Sequence, residues 1–359
     1  RNGAPRFIPV PVQARISSIA AKDAISVGVG RSPTFGSGPF QGVIVVSTNH
    51  LQWNDSVQAP SGTGGLNAVR FVNGTFIAVG EGGTVIRSTD GLNWTKRVSN
   101  TSYDLNDITF GNGQWVAVGA AGRVITSPDG SGFSLRFAST ELDLNGITFG
   151  GGQFVAVGKA GALVTSGNGA DWTGVGSEAI DLYGVAYGLG KFVAVGTNGV
   201  TLSSTMGSIW TKGQIPGGKS VTRVAYANGY FVANEAGTTT VYVSADGVFW
   251  QPQTIGTSVL FGVDATDGEI WVTGDKTAIW RTSQGAAWAP TISAARQGMN
   301  SVAFTVGAPL YGEYEIQFAP SLPAGSWQTA TVLSGIEGNA TWVKDGAVEN
   351  GSFYRVVRR

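Results

Sequence analysis

An aromatic residue recurs at positions 53, 94, 133, 172, 210, 250 and 288, at spacings of 41, 39, 39, 38, 40 and 38 residues. A period this steady confines the chain to folds in which one supersecondary unit is copied and each copy buries its apolar face against the next. The clearest copies run from Leu66 to Trp94, Leu105 to Phe133 and Leu144 to Trp172. Each reads as a short strand opening Leu-Asn, a Gly-rich turn, then Phe/Trp-Val/Ile-Ala-Val-Gly. A second Gly turn follows, then a strand ending in Ser, and a turn of the form Ser-x-Asp-Gly before the aromatic. Weaker copies end at Trp210, Trp250 and Trp288, and an earlier one, from Ile16 to Trp53, carries an insert around Arg31 to Gln41.

Each copy supplies about four short runs of period-two alternation, such as Gln114 to Gly119, bounded by Gly and Asn. Four antiparallel strands per forty residues make a propeller blade. Parallel β-helices are the rival, with shorter coils and no such hairpin regularity. Composition agrees: 55 glycines in 359 residues and only 13 % charged side chains suit short strands and tight turns. The expectation is an all-β chain, a seven-bladed β-propeller of four-stranded blades over residues 16–298. Residues 1–15, with Pro5, Pro9 and Pro11, form an extended N-terminal arm; without donors at the prolines it cannot be a central strand. After Trp288 the Val-Ala-Val-Gly strand is missing, and Gly312 to Phe318, Trp327, Ala340 to Asp345 and Ser352 to Val356 stand in its place. That stretch resembles the small C-terminal β-module of exported verrucomicrobial proteins, which implies a separate β-module over 299–359. Trp327 lies 39 residues beyond Trp288, so eight blades is the alternative.

The repeated turn has a mechanical reading. Asp accepts backbone N–H groups, Gly takes positive φ, and the aromatic returns to pack on the blade. Asp90, Asp129 and Asp246, with Trp94, Trp172 and Trp250, are the candidate structural residues; Asn49, Asn168, Met206 and Gln284 replace the Asp elsewhere. These turns resemble the Asp-box repeats of sialidase-like and photosystem-assembly-factor-like propellers, over roughly residues 16 to 298. The resemblance implies structural turns placed away from any active centre.

Several function classes drop out. With 23 basic and 23 acidic side chains and net charge zero, no concentrated basic face exists for a nucleic-acid partner. The apolar runs are too short for a transmembrane segment. There is no Cys, and the single His excludes a His-based metal site. That residue, His50, replaces the Gly of the first turn and reads as a solvated turn residue. Arg6-Phe-Ile-Pro9 interrupts the Arg-Ile-Pro signature of sialidases with a Phe and precedes the first blade. The Gly-x-Gly stretches are hairpin turns, with no helix N-terminus to hold phosphate. A start at Arg1, low charge and abundant Gly, Ser, Thr and Asn lean towards an exported bacterial protein: extracellular, cell-surface or periplasmic.

One constellation suggests a ligand site. Alignment puts Asp104, Asp143 and Asp181 just before the innermost strands of three successive blades, and Glu81, Lys159, Glu235, Asp275 and Lys276 on connections emerging on the same face. An acidic arc at the channel mouth could hold a Ca2+ ion or a hydroxyl-rich ligand; the alternative is that Asp only caps a turn. No other cofactor is implied. The insert carries Phe35 and Phe40, which suit a sugar or a partner surface. Three functions remain: an exported non-catalytic propeller binding a glycan or protein partner, a polysaccharide-active lyase or glycosidase, and a self-assembling surface or filament subunit that forms a homo-oligomer through the N-terminal arm. No catalytic constellation stands out, and the balance leans away from an enzyme.

Overall fold

The structure, a computed structural model, describes the backbone of residues 7–9, 14–32, 40–50, 53, 55–176, 179–215, 217, 219–235, 237–254, 259–266, 268–274, 279–281, 291–296, 301–319, 328–345 and 353–358, with side chains between residues 14 and 279 except at Asp55. It divides into two compact units, one of Arg1–Val248 with Pro252–Thr282, the other of Phe249–Gln251 with Ser283–Arg359. Among the described residues, no helix is long and apolar enough to cross a membrane.

The first unit is a propeller. Its sheets, lettered A to G in chain order, present as innermost strands Arg15–Lys22, Leu66–Val72, Leu105–Gly111, Leu144–Gly150, Leu182–Gly188, Val221–Ala227 and Leu260–Thr266. Each packs against the innermost strands on either side, and Leu260–Thr266 returns to Arg15–Lys22, which closes the ring. The second strand of each sheet is apolar almost throughout: all six residues of Thr75–Gly80 are buried, as are five of the six in Gln114–Gly119. A strand covered on both faces by neighbouring blades has no solvent side on which to alternate.

The expectation of a seven-bladed propeller of four-stranded blades, with eight blades as the alternative, is corrected: among the described residues six sheets have four strands, B to F and a sheet H, while sheet A has five and sheet G three. Sheet A gains its extra strand because Phe7–Pro9 pairs antiparallel with Asp55–Val57 at the outer edge, where a proline costs no ladder bond within the sheet. Sheet H lies in the second unit. There Ser301–Ala319 pairs with Thr291–Arg296, Gln328–Asp345 and Phe353–Arg358, and strands of 19 and 18 residues are too long for a copy of the forty-residue blade.

The two ends of each blade are built differently. At one end lie the hairpin between first and second strands and the Ser-x-Asp-Gly turn. Aromatic residues meet there across the hairpin, Phe71 on Phe76 at 4.5 Å, Phe149 on Phe154 at 4.7 Å and Tyr187 on Phe192 at 4.8 Å. The repeat aromatics Trp94, Trp172 and Trp210 pack against the same rings at 6.2 to 6.4 Å. In the turn, Gly91 N–H donates to Ser88 Oγ, and Leu92 and Asn93 N–H donate to Asp90 Oδ1. Trp94 Nε1 then donates to Gly91 O at 2.9 Å. Gly91 has φ +73°, and a Cβ there would lie 2.8 Å from Val27 of the preceding sheet. Both the left-handed backbone and the close approach of the next blade therefore require glycine.

Candidate functional site

At the other end, every innermost strand carries a β-bulge near its start, at the second residue in sheets B to G and at the third, Ser17, in sheet A. Leu105 pairs with Gly119 and Asp107 with Val118, so Asn106 has no partner opposite; the same shift occurs in sheets A, B, D, E, F and G. A bulge bends the strand and re-aims one side chain. The re-aimed residues Ser17, Asn67, Asn106, Asn145, Tyr183, Thr222 and Phe261, one per sheet, line a cavity of about 230 Å³ together with Arg31 and Arg223. This is the axial mouth of the propeller. Three of the asparagines also latch neighbouring blades: Asn67, Asn106 and Asn145 Nδ2 donate to the carbonyls of Leu105, Leu144 and Leu182 at 2.8 to 2.9 Å. One N–H of each amide is thereby committed, which leaves its oxygen as an acceptor and the second N–H as a donor.

Further along the inner strands the axis holds ionic side chains. Arg70 reaches Asp264 at 2.9 Å and Asp107 at 3.1 Å, and Arg223 lies 3.7 Å from Asp107. Asp264 Oδ2 accepts Ile19 N–H, Asp107 Oδ2 accepts Ile147 N–H, and Arg223 Nη2 donates to Asn67 O. The network thus ties sheets A, B, C, D, F and G. Burial raises the Asp264 carboxyl above the usual range against the pull of Arg70 and Arg223. For Arg70, burial acts downwards, but Asp264 and Asp107 outweigh it and raise the guanidinium pKa. Fully hydrogen-bonded ions of this kind tolerate burial only as a set.

On the sheet A side of the mouth, Arg15 and Arg31 stand directly opposite each other across two strands. Like charges so placed repel. Each guanidinium lies over a ring, Arg15 over Phe261 at 5.2 Å and Arg31 over Phe40 at 4.8 Å. Glu81 offsets Arg31 through a 3.4 Å contact, while Arg15 pairs with no carboxylate among the described residues. A carboxylate entering here would meet donors already held in place.

Of the acidic residues expected to form an arc, the three aspartates are each committed to a neighbouring blade. Asp104 Oδ1 accepts Gly82 N–H at 2.7 Å, Asp143 accepts Ala121 N–H at 2.9 Å and Asp181 accepts Ala160 N–H at 2.8 Å. Gly82, Ala121 and Ala160 have left-handed φ of 62°, 51° and 47°, so each carboxylate caps a strained turn of the preceding sheet. Asp143 also takes Lys159 at 2.6 Å; that hydrogen bond, with Ala121 N–H, holds its carboxyl below the ordinary range. Glu81 accepts Gly65 N–H besides Arg31. Glu235 is buried where sheets B to E have Gly80, Gly119, Gly158 and Gly196, between Lys219 Nζ at 3.0 Å and Tyr242 Oη at 2.8 Å. Burial and that bond to Glu235 push Tyr242 up to about 12. Phe40 is 43 % exposed; Phe35, Asp275 and Lys276 lie outside the described residues. No group of three or more His, Cys, Asp or Glu suited to a metal ion occurs among the described residues.

The turn residues stand apart from the mouth. Asp129 Oδ1 accepts Ser131 N–H and Asp246 Oδ1 accepts Val248 N–H. Trp172 Nε1 donates to Gly169 O, and Trp250 is buried. His50 takes φ +61° in its turn, with Nδ1 against Ser26 Oγ and Nε2 against Asp23 O. Ser26 is fully buried.

Neither family models nor curated proteins match the sequence. Solved structures do match in fold. The WD40 β-propeller domain of Doa1 aligns at TM-score 0.58 and 15 % identity, covering 77 % of this chain and 95 % of that one. YCF48 bound to D1 peptide aligns at TM-score 0.59 and 15 % identity, covering 78 % and 94 %. YCF48 from Cyanidioschyzon merolae aligns at 0.57 and 14 %, covering 77 % and 98 %. At such identities the likeness shows the fold alone and defines a class, the β-propellers.

Proposed function

We propose that this chain is a non-catalytic binding propeller whose axial mouth takes a carboxylate-bearing segment of a protein partner. The observation that carries the reading is the ring of bulged residues. The backbone at this position is the same in every sheet, yet the side chains run Ser, Asn, Asn, Asn, Tyr, Thr and Phe. A scaffold that repeats its geometry and varies its chemistry at one convergent point has the form of a recognition site. The opposed Arg15 and Arg31 supply the anion preference. The structure of YCF48 with a D1 peptide gives a precedent for a peptide on this fold.

A hydroxyl-rich glycan is the second reading, favoured by three amide oxygens beside the rings of Tyr183 and Phe261. The test is parallel probing of a peptide array with free carboxylates and a glycan array, using the wild type, Arg15→Ala/Arg31→Ala and Asn106→Ala/Asn145→Ala. Peptide binding weakened at least tenfold by the arginine pair supports the first reading. Glycan binding lost in the asparagine pair supports the second. Signals indifferent to both pairs remove the mouth as a site.

A further inference from the structure

Sheet C carries a feature that its neighbours lack. Arg123 lies between two rings, 4.4 Å from the centroid of Tyr103 and 4.7 Å from that of Phe137. The corresponding residues of sheets B, D and E are Thr84, Ala162 and Val200, so the stack is no requirement of the blade. Tyr103 is 44 % and Phe137 58 % exposed. Arg123 Nη1 donates to Ala121 O at 2.8 Å, and Arg136 Nη1 to Leu135 O at 3.0 Å; among the described residues neither arginine pairs with a carboxylate. Tyr, Arg and Phe presented together, with an unneutralised cation, have the composition of an interface hot spot.

The location adds a second argument. Arg123 and Phe137 face each other across the last two strands, Arg123–Ser127 and Ser134–Phe137, and the outer edge of Ser134–Phe137 has no strand beside it among the described residues. At the matching outer edge of sheet A, Phe7–Pro9 adds as a further strand. This fold therefore already accepts an extended segment at the rim of a blade.

We propose that the outer edge of sheet C docks an extended segment of a partner protein carrying a carboxylate next to an apolar side chain. The backbone of the segment pairs with Ser134–Phe137, its carboxylate meets Arg123, and its apolar side chain covers Phe137 and Tyr103.

The experiment selects random twelve-residue peptides displayed on phage against the whole chain, then measures synthetic versions of the enriched peptides by calorimetry. The expected peptides carry Asp or Glu beside an aliphatic or aromatic residue. They bind Arg123→Ala and Phe137→Ser at least tenfold more weakly than wild type, and Arg15→Ala/Arg31→Ala within twofold of it. N-methylation of the peptide backbone abolishes binding at alternate positions only. Thermal unfolding of each variant at the wild-type midpoint confirms that the fold is kept. Selected peptides that bind Arg123→Ala and Phe137→Ser as tightly as wild type overturn the proposal. So do peptides that weaken only in the Arg15/Arg31 variant, a result that would support the mouth instead.

Discussion

The two ends of the propeller obey different rules. At the turn end sheets B and D repeat the same solution: a serine and an Asp or Asn accept backbone N–H groups, a glycine takes positive φ, and an aromatic closes over the hairpin. At the mouth end the backbone repeats, with a bulge in every sheet, while the side chains do not. The turn end rests mainly on contacts within one heptapeptide, with single hydrogen bonds from Asn112, Gln153 and Lys191 to the turn of the next blade. The mouth end holds blades to one another, through Asn latches, Asp caps and the axial ion network. Stability that is mainly local at one end and shared at the other predicts very different costs for a single substitution.

The largest cost belongs to the axis. Arg70→Met leaves Asp107 and Asp264 buried without their main cation, and removing one partner of such a set costs about 3–5 kcal/mol. Thermal unfolding should fall by roughly 10 °C for a unit of this size. Adding Asp264→Leu to the same chain should recover part of that loss, because the second unpaired charge goes with it. If Arg70→Met unfolds within 2 °C of wild type, roughly the effect of 1 kcal/mol or less, the network is not what joins the blades.

The same contrast explains what could be read before any coordinates. The blade was legible because its period rests on large apolar anchors and on turn residues whose chemistry is local: Asp90, Gly91 and Trp94 interact within one heptapeptide. The bulge was written too, in a form easily passed over. Leu105 and Ile108 are both buried, as are Leu66 and Val69, and Leu144 and Ile147. Buried residues three apart in a strand break the period of two, and that slip is the bulge. The acidic arc illustrates the opposite difficulty. Alignment puts Asp104, Asp143 and Asp181 at one repeat position, but whether a carboxylate faces a ligand or a neighbour's N–H depends on a turn some twenty residues away. The Arg70–Asp264 pair is less legible still: the two residues hold the same place after Leu66 and Leu260 in their repeats, but the period does not say which copies meet across the ring. The fifth strand of sheet A is a departure at the end of the array, where the period offers no template.

A pair of glycines in one blade puts the two ends side by side. At Gly119, near the mouth, an added Cβ would fall 1.9 Å from Asp104 O, a backbone atom that can retreat only by opening the bulge. Gly119→Ala should cost about 3 kcal/mol, within the range for strain and overpacking. Gly113, in the hairpin at the turn end, has φ +76° and nothing within 4 Å, so Gly113→Ala meets only the left-handed penalty of about 1 kcal/mol. Denaturant unfolding of both variants checks the order. Sheet F shows what relief requires: Glu235 occupies the Gly119 position there, and the connection from Asn234 to Val241 is one residue longer than that from Val118 to Val124. Lengthening the sheet C connection by one residue should therefore rescue Gly119→Ala and leave Gly113→Ala unchanged.

The smallest effect lies in the turn itself and depends on pH. Burial acts to raise the Asp90 carboxyl, but hydrogen bonds from Asn93, Leu92 and Ser88 outweigh it and hold the group down at about 2. A folded-state pKa depressed below the unfolded value of about 3.9 contributes stability that is complete above pH 4 and is lost as the pH falls towards 2. For a partly exposed group this amounts to about 1 kcal/mol. The turn of sheet D shows that geometry needs an acceptor and not a charge, since Asn168 Oδ1 accepts Ala170 and Asp171 N–H at 2.9 Å. Asp90→Asn should accordingly keep the turn, lower stability slightly at pH 7, and match wild type by pH 2, where Asp90 has lost its advantage. Urea midpoints of the two proteins measured from pH 7 to pH 2 should converge. A gap that stays constant with pH would mean that the carboxylate serves the turn by shape alone, and that the turn end is held by its aromatic stack.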